Sequence, residues 1–284
     1  MLGELCIYES LEIVNYIIQE VGERMHPILF SIGSFEFRVW GLLVALGVLA
    51  GVWLAVRLAK GSEFTADMVH EYVIYGVFAG FLGARAWEVI FSWSDYAANP
   101  MHALLFWQGG LSIQGAVVAN VILAWWYFGR KNLSFRRFAD IATPGLILGQ
   151  AIGRIGCFFN GDAYGKPTDA WYGVAYQPGT PAFHAWGDAP LVPAELMEAG
   201  LDFVILAILL RLFRKKQVDG QVGLAYFILY SLARFGLEFL RTDSLMIGGL
   251  KAAQITALIT ALIAVVLWLW QVHQTQQARF KTGI

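Results

Sequence analysis

The chain has little charge for its length. Of its 284 residues 14% are charged and 58% are hydrophobic, and the net charge is -1. Soluble domains carry about 25% charged residues, so the composition indicates a membrane protein. A near-neutral chain also lacks the basic surplus that nucleic-acid binding needs, and we expect no nucleic-acid partner.

Cysteine and histidine are also scarce. The two cysteines, Cys6 and Cys157, lie far apart, so we expect free thiols and no disulfide framework. The five histidines are scattered and show no metal-ligand spacing. We therefore expect neither a metal site nor a cofactor.

The N-terminus lacks the basic region of a signal peptide. Residues 1–24 contain five glutamates and a single arginine, and Met25 opens a plausible start of its own, MHPILFSIG. We interpret residues 1–24 as a short acidic extension or a wrongly assigned start. Residues 25–284 are predicted to form a single seven-helix membrane domain.

Seven segments have the apolar length of a spanning helix, which is about 20 residues. They run at 39–58, 70–91, 111–128, 139–158, 193–213, 222–241 and 252–272. The sequence therefore predicts an all-α integral membrane protein with seven transmembrane helices.

The basic residues indicate an orientation. Of the 20 Lys and Arg residues, 12 lie after spans one, three and five or in the C-terminal tail. Basic residues accumulate on the cytoplasmic side of a membrane, so we expect the N-terminus outside and the C-terminus inside. The longest connection, 159–192, then forms a small ordered extracytoplasmic cap.

Glycines recur at four-residue spacing within the spans: Gly47/Gly51, Gly76/Gly80 and Gly145/Gly149/Gly153. In a membrane, small residues at this spacing let helix backbones approach closely. We interpret these glycines as packing sites.

Polar side chains at membrane depth are rare, and an ionisable one is a functional candidate by default. Those found here all fall toward the outer half of their predicted helices: Arg85, Glu88, Gln114, Arg154, Glu195, Glu198, Arg234, Glu238 and Arg241. Because five spans contribute them at one level, we expect a shared polar cavity open to the outer leaflet.

Span six carries three of these charges in the motif RFGLEFLR. Arg234, Glu238 and Arg241 stand at i, i+4 and i+7, which places them on one helical face. Arg234 can pair with Glu238, but the three arginines of spans two, four and six at one depth, Arg85, Arg154 and Arg234, exceed what Glu88 and Glu238 neutralise. A salt-bridge network between helices would account for some of these charges. Guanidinium groups in excess match phosphate oxygens and favour binding of a phospholipid headgroup.

The helix of span four is expected to end at Asn160-Gly161-Asp162, which is turn chemistry. The side chains of Asn160 and Asp162 either hold this turn by bonding the backbone, or orient a headgroup or Arg154. The sequence leaves both interpretations open.

Several motifs together resemble the prolipoprotein diacylglyceryl transferase family. They are MHPILFSIG, GGLSIQG, GQAIGRIGCFFNGDAYG and RFGLEFLRTDSLM. The most specific are Gly-Arg-x-Gly-x-Phe-x-Asn-Gly at 153–161, with Gly165 following, and Arg-x3-Glu-x2-Arg at 234–241. The similarity runs from Met25 to around residue 272.

The resemblance implies seven spans with the N-terminus outside, in the plasma (inner) membrane of a bacterium. It implies transfer of the diacylglyceryl group of phosphatidylglycerol to the lipobox cysteine thiol of a preprolipoprotein signal peptide. A thioether would form and glycerol 1-phosphate would leave.

The resemblance also implies residue roles. Arg154 and Arg234 are expected to hold the lipid phosphate, and Glu238 to orient Arg234. The candidate catalytic residues are Arg154, Arg234, Glu238 and Gln114. The candidate phosphatidylglycerol-binding residues are Trp40, Arg85, Arg154, Asn160, Asp162, Gly165, Arg234 and Arg241.

The chain departs from the family pattern at several positions. Gln114 stands where the family has a histidine in SxHGG, and Cys157 stands where an asparagine is expected. Trp40-Gly41 replaces a usual tyrosine-glycine pair, and the start of span five reads Val192-Pro193-Ala194-Glu195 instead of His-Pro-x-Gln.

Glutamine does not accept a proton usefully, so the acceptor thiol needs another route to its thiolate. A cysteine thiol titrates at about 8.5 in isolation and lower beside arginines, so electrostatics alone could supply thiolate. If a base operates, the carboxylates within reach are Glu88, Glu195 and Asp162, and His102 is a weaker candidate.

Two other functions stay open. A transferase-like paralogue could bind or modify a different lipid or thiol acceptor. An anion transporter could use the same arginines, but it would need polar groups on the inner half of the spans. Almost none are found there beyond Asp140 and flanking basic residues.

Overall fold

Long apolar runs become helices in a membrane because the backbone must satisfy its own hydrogen bonds there. The computed structural model describes residues 27–33, 35–97, 99–105, 109–241 and 246–282. The predictions for the extension 1–24, for Cys6 and for a start at Met25 lie outside the described residues.

The described residues contain seven helices of 17 residues or more. They are α1 (Val39–Ala59), α2 (Ala66–Phe91), α3 (Ile113–Arg130), α4 (Phe135–Asn160), α5 (Ala194–Lys215), α6 (Gln221–Leu237) and α7 (Ala252–Thr282). Each overlaps one predicted span. By length and composition α1, α2, α4 and the stretch Ala252–Gln274 of α7 can cross a membrane. The chain is therefore mostly helical, with four candidate spans among the described residues.

The prediction of helices alone missed two small β-hairpins. Strands β1 (Ile28–Ile32) and β2 (Phe35–Arg38) pair antiparallel before α1. Strands β3 (Met246–Ile247) and β4 (Leu250–Lys251) pair antiparallel before α7. Strands of two to five residues are too short to give a clear alternating pattern in a sequence.

Residue contacts divide the chain into two compact units. One is Val52–Ile141, and the other contains the described residues up to Gly51 together with those from Ala142 onward.

In the unit Val52–Ile141, α2 and α3 approach through glycine. A Cβ placed on Gly83 would lie 2.6 Å from the carbonyl oxygen of Gly115. The carboxamide of Asn120 occupies the space beside Gly76 and Gly80. The predicted packing role of the Gly76/Gly80 pair is confirmed.

In the other unit, α1 and α4 approach through the remaining glycine pairs. A Cβ on Gly47 would lie 2.8 Å from the carbonyl oxygen of Gly149, and one on Gly51 would lie 2.6 Å from that of Gly145. These four glycines pack as predicted. Gly153 has open space where a side chain would stand, so the predicted packing role does not extend to it.

The apolar core between α4, α5 and α6 sets the position of the polar residues on the same helices. Buried residues Ile147, Ile205, Leu209, Val222 and Tyr226 form this core. Ile147 precedes Arg154 by seven residues, and Ile205 follows Glu198 by seven. Residues seven apart share a helical face. On α4 and α5, the face that forms the core therefore also carries a charged side chain about two turns from the core residue.

The segment after α4 has a small buried core of its own. Its residues Val174, Tyr176, Ala182 and Leu191 form a buried cluster with Phe158 of α4. Backbone bonds join Val174 and Leu191 in both directions at 2.9 Å. This small core explains why a glycine- and proline-rich connection holds a defined structure.

Arg241 does not share a helical face with Arg234 and Glu238, and that prediction is wrong. Helix α6 ends at Leu237, and Glu238 is its C-cap residue. Arg241 instead forms a backbone bridge with Gly165. The turn after Leu237 is joined to the segment after α4, because the N–H of Lys166 donates to the carbonyl oxygen of Leu240 at 2.8 Å.

Candidate active site

One buried carboxylate joins two arginines from different helices. Glu198 of α5 is 3% exposed; its Oε1 lies 2.9 Å from Nη2 of Arg154 on α4, and its Oε2 lies 3.4 Å from Nη1 of Arg234 on α6. The arginine side chains are 25% and 21% exposed. Three helices therefore contribute side chains to one ionic cluster, and its two guanidinium groups remain partly exposed.

The predicted pairing within α6 is confirmed. Nη2 of Arg234 lies 3.0 Å from Oε2 of Glu238, whose side chain is fully buried. The i, i+4 spacing places the two side chains together. With Glu198 included, the four side chains contribute two positive and two negative charges to one connected cluster.

The expected surplus of positive charge is absent from these four residues. The prediction counted Glu238 as the main neutralising group for Arg234 and did not assign Glu198 to Arg154. A carboxylate that bridges two guanidinium groups offsets half of their charge, and Glu238 offsets the remainder. An argument for thiolate formation from excess positive charge therefore loses its support at this cluster.

Two tyrosines of α6 extend the cluster along the same helical face. The hydroxyl of Tyr230 donates to Oε1 of Glu198 at 3.2 Å, and that of Tyr226 donates to Oε1 of Gln150 at 2.7 Å. The two rings stack, with centroids 5.8 Å apart. The stacked rings limit the positions that Glu198 can take.

The end of α4 brings several predicted residues together. The thiol of Cys157 lies beside the side chains of Trp40 and Asp162. The amide of Asn160 donates to Oδ2 of Asp162 at 3.1 Å, and its Oδ1 lies 3.5 Å from Nη1 of Arg38. The side chains of Asn160 and Asp162 therefore bond each other about two turns beyond Arg154, which neither sequence interpretation had described.

Gly165 is required by close packing. A Cβ on it would lie 2.7 Å from Cβ of Val192, 2.8 Å from that residue's carbonyl oxygen and 3.0 Å from the carbonyl oxygen of Leu240. Its N–H donates to Val192 O at 2.9 Å. Gly165 lets the segment after α4 pass between the start of α5 and the end of α6, so it positions site residues through the backbone.

A second buried carboxyl lies at the start of α5. Glu195 is 1% exposed, and the hydroxyl of Tyr176 donates to it, with its two oxygens at 2.9 and 3.1 Å. Burial and the Glu195 charge raise the pKa of Tyr176, so its hydroxyl remains a donor. Asp162 and Arg241 are charged neighbours of this carboxyl.

Lys251 holds the turn that carries Glu238 and Arg241. Its ammonium donates to the carbonyl oxygen of Glu238 at 2.6 Å and also to that of Arg241. Cations stabilise the carbonyl-bearing end of a helix. The sequence analysis did not single out Lys251, although a lysine just before an apolar run could have suggested an interfacial contact.

In the unit Val52–Ile141, Arg85 donates hydrogen bonds to the connection that follows α2. Nε donates to Ala103 O at 2.8 Å, Nη1 to Gly109 O and Gly110 O at 2.7 and 2.8 Å, and Nη2 to His102 O at 2.6 Å. These bonds use most of the guanidinium donors. The geometry gives Arg85 a loop-holding role and leaves little of it for the phosphate contact that was predicted.

The other predicted residues of this unit form local contacts. Oε1 of Gln114, in the first turn of α3, accepts from Ser112 at 2.6 Å. Oε1 of Glu88 accepts from Ser92 at 3.3 Å, and His102 lies 3.2 Å from the amide of Asn99. None of these contacts forms a proton-relay pair of the kind a base requires.

The sequence analysis named Glu198 as a polar residue at membrane depth but gave it no role. Tyr230 was not named at all, although it stands one turn before Arg234. The signal available was periodicity, since residues at i, i+4 and i+8 of α6 share one face. Applied to Tyr226, Tyr230 and Arg234, it indicates a polar stripe.

Comparisons with known proteins support a single family. Residues 27–270 match the family described as Prolipoprotein diacylglyceryl transferase. A protein of Trichormus variabilis is 36% identical over 260 residues, 86% of this chain and 89% of that one. One of Acaryochloris marina is 37% identical over 235 residues, 82% and 86% of the two chains. One of Bacillus licheniformis is 35% identical over 253 residues, 88% and 94%. All three are named phosphatidylglycerol--prolipoprotein diacylglyceryl transferase.

Proposed function

This chain belongs to the prolipoprotein diacylglyceryl transferase family, and we propose that it transfers the diacylglyceryl group of phosphatidylglycerol to the lipobox cysteine of prolipoproteins. The acceptor sulfur forms a bond to the glyceryl carbon as the bond from that carbon to the phosphate oxygen breaks. Glycerol 1-phosphate leaves with both electrons of that bond. The thiol proton passes to an acceptor group or to water.

The observation that carries this proposal is the arginine pair held by Glu198. A guanidinium has five N–H donors, so Arg154 and Arg234 can each serve a carboxylate and a phosphate at once. Donors that are fixed before the reaction stabilise charge that develops on the leaving group. We assign phosphate binding to both arginines, and orientation of Arg234 to Glu238.

The remaining predicted residues are assigned by their contacts. Trp40, Asn160 and Asp162 surround the last turn of α4, so they shape the side of the site nearest to Cys157. Arg241 follows the turn after α6 beside Gly165 and serves as a second source of positive charge. Gly165 acts through packing.

The transfer assay tests the function directly. Purified protein is given phosphatidylglycerol and a peptide with a lipobox cysteine, and release of glycerol phosphate is measured together with the mass of the peptide. We expect both glycerol phosphate and a diacylglyceryl peptide. A protein that binds phosphatidylglycerol but releases no glycerol phosphate would refute this activity and favour a paralogue with another acceptor.

The proposal extends to the topology. Seven spans, with the N-terminus outside and the C-terminus inside the bacterial plasma membrane, place the connection 159–192 outside. Residues 25–284 then form one transferase domain. The basic last turns of α1, α3 and α5, with Arg57, Arg130 and Arg214, support this orientation because such residues favour the cytoplasmic side.

Thiol labelling checks the topology. In a background without other cysteines, a membrane-impermeant reagent applied to spheroplasts should modify the Asp188→Cys variant and leave the Lys215→Cys variant unmodified. Asp188 is exposed and stands in the 159–192 connection, whereas Lys215 ends α5. Labelling of Lys215→Cys alone would reverse the orientation.

Of the three carboxylates considered as a base, we assign Asp162 as the group that takes the proton of the acceptor thiol. Glu195 is buried and already bonded to Tyr176, and Glu88 accepts from Ser92. Asp162 is only half-buried and lies beside Cys157, at the end of the helix that carries Arg154.

Two substitutions test Asp162 as the proton acceptor and Gln114 as a residue with only a minor role. Gln114→Ala should lower transfer roughly fivefold, the cost of one neutral hydrogen bond of about 1 kcal/mol. Asp162→Asn should lower it about tenfold near neutral pH, and less at alkaline pH, where the thiol ionises without help. Complete loss in Gln114→Ala would show that Gln114 positions a reacting group, and an unaffected Asp162→Asn would refute the assignment of Asp162 as the proton acceptor.

A further inference from the structure

Asp202 is a buried carboxyl that the mechanism above does not use. It lies on α5 one turn after Glu198 and is 1% exposed. Neither of its oxygens has a hydrogen-bond partner among the residues that the structure describes. Its titratable and charged neighbours are Glu198 on the same helix, Arg154 from α4, and Tyr226 and Tyr230 from α6.

Charge balance restricts the state of this carboxyl. The two arginines and two glutamates of the cluster already cancel, so an ionised Asp202 would add an uncompensated negative charge. A buried carboxylate without a donor is among the most costly groups in a protein, and such groups usually become neutral. A protonated Asp202 avoids this cost.

The charge of Asp202 also affects how the cluster binds a phosphate. A phosphodiester brings one negative charge to the cluster, and an ionised Asp202 would bring a second one nearby. The ionised form would also attract Arg154, because an unpaired carboxylate in a low-dielectric interior draws the nearest guanidinium. Phosphate and Asp202 would then compete for one arginine.

We propose that Asp202 is a positioning residue that remains protonated while lipid phosphate binds, and so directs Arg154 to the phosphate. This inference rests on the proposed function, because it takes phosphatidylglycerol as the ligand. When Asp202 is a neutral acid, Arg154 can bind both Glu198 and the phosphate. As a carboxylate it withdraws Arg154 from the phosphate.

The proposal fixes the sign of a pH effect. The protonated form is the one that binds, so the affinity for phosphatidylglycerol falls as pH rises through the ionisation of Asp202. A single proton linked to binding changes the dissociation constant by up to about tenfold per pH unit. Asparagine has the same shape and cannot ionise, so Asp202→Asn removes this fall.

The experiment measures binding of short-chain phosphatidylglycerol to the detergent-solubilised full chain by calorimetry, from neutral to alkaline pH. We expect wild type to lose affinity at alkaline pH and Asp202→Asn to bind equally across the range. Asp202→Glu keeps a titratable group and should keep the fall. Asp188→Asn makes the same change at an exposed position outside the cluster and should follow wild type.

Infrared spectroscopy gives an independent reading of the proton. The carbonyl stretch of protonated carboxylic acids should lose intensity in Asp202→Asn relative to wild type, and should be unchanged in Asp188→Asn. This band reports the protonation state itself, which a purely structural role of Asp202 does not require.

Each outcome decides the proposal. An alkaline fall that persists in Asp202→Asn overturns it, as does a wild-type affinity that is independent of pH. The predicted pH profile without glycerol phosphate release in the transfer assay would refute the transferase activity and leave the role of Asp202 standing. Transfer by wild type, together with a lipid affinity that falls with pH to the same extent in wild type and Asp202→Asn, would refute the role of Asp202 alone.

Discussion

Arg154→Lys is expected to remove most of the transferase activity, with turnover falling about 100- to 1,000-fold. Losing one preorganised donor to a developing anion costs this much in other enzymes. A lysine offers a point charge where the guanidinium offers a planar fork. It cannot hold Glu198 at 2.9 Å and bind phosphate at the same time.

The measurement is glycerol phosphate release at saturating phosphatidylglycerol, which reports turnover separately from lipid affinity. Arg57→Lys is the matched control, because Arg57 lies in the last turn of α1 with its guanidinium over the Trp53 ring. Its turnover should stay close to that of wild type. Near-normal turnover in Arg154→Lys would count against phosphate binding by this residue.

Glu198→Gln is expected to have a comparably large effect, lowering turnover about 100-fold and stability by several kcal/mol. Removing one partner of a buried ion pair costs about 3–5 kcal/mol because the other charge is left uncompensated. Here one substitution leaves Arg154 without its carboxylate and Arg234 with Glu238 alone. The new amide also turns N–H donors toward guanidinium donors.

Thermal denaturation and the transfer assay should be measured together on this variant. Glu63→Gln is the matched acid-to-amide control, since Glu63 pairs with Arg137 at 2.6 Å in a partly exposed contact. Such pairs contribute about 0–1 kcal/mol, so its melting temperature should change little. A Glu198→Gln variant as stable and active as wild type would show that the bridge is incidental.

The helices could be predicted from the sequence because apolar length and spacing are local properties. Each of the seven predicted segments overlaps a helix, and the pairing of Arg234 with Glu238 follows from spacing within one helix. The turn after α4 was also predicted, and Gly161 adopts the positive φ of 68° that such a turn favours.

The contacts between helices could not be predicted in the same way. Glu198 reaches both arginines because α4, α5 and α6 turn particular faces toward one another, and a sequence does not state how helices rotate. Arg85 shows the same limit, since its partners are backbone carbonyls of a loop with no pattern in the sequence. Arg241 left its predicted face because α6 ends four residues early.

The most direct test of the central claim is an experimental structure with phosphatidylglycerol bound and no acceptor peptide present, so that the lipid stays intact. The account predicts the lipid phosphorus between Arg154 and Arg234, with phosphate oxygens about 2.7–2.9 Å from guanidinium nitrogens of both. Glu198 and Glu238 would still contact the far sides of the two arginines. A phosphate bound elsewhere, with the bridge from Arg154 through Glu198 to Arg234 unchanged and closed, would contradict it.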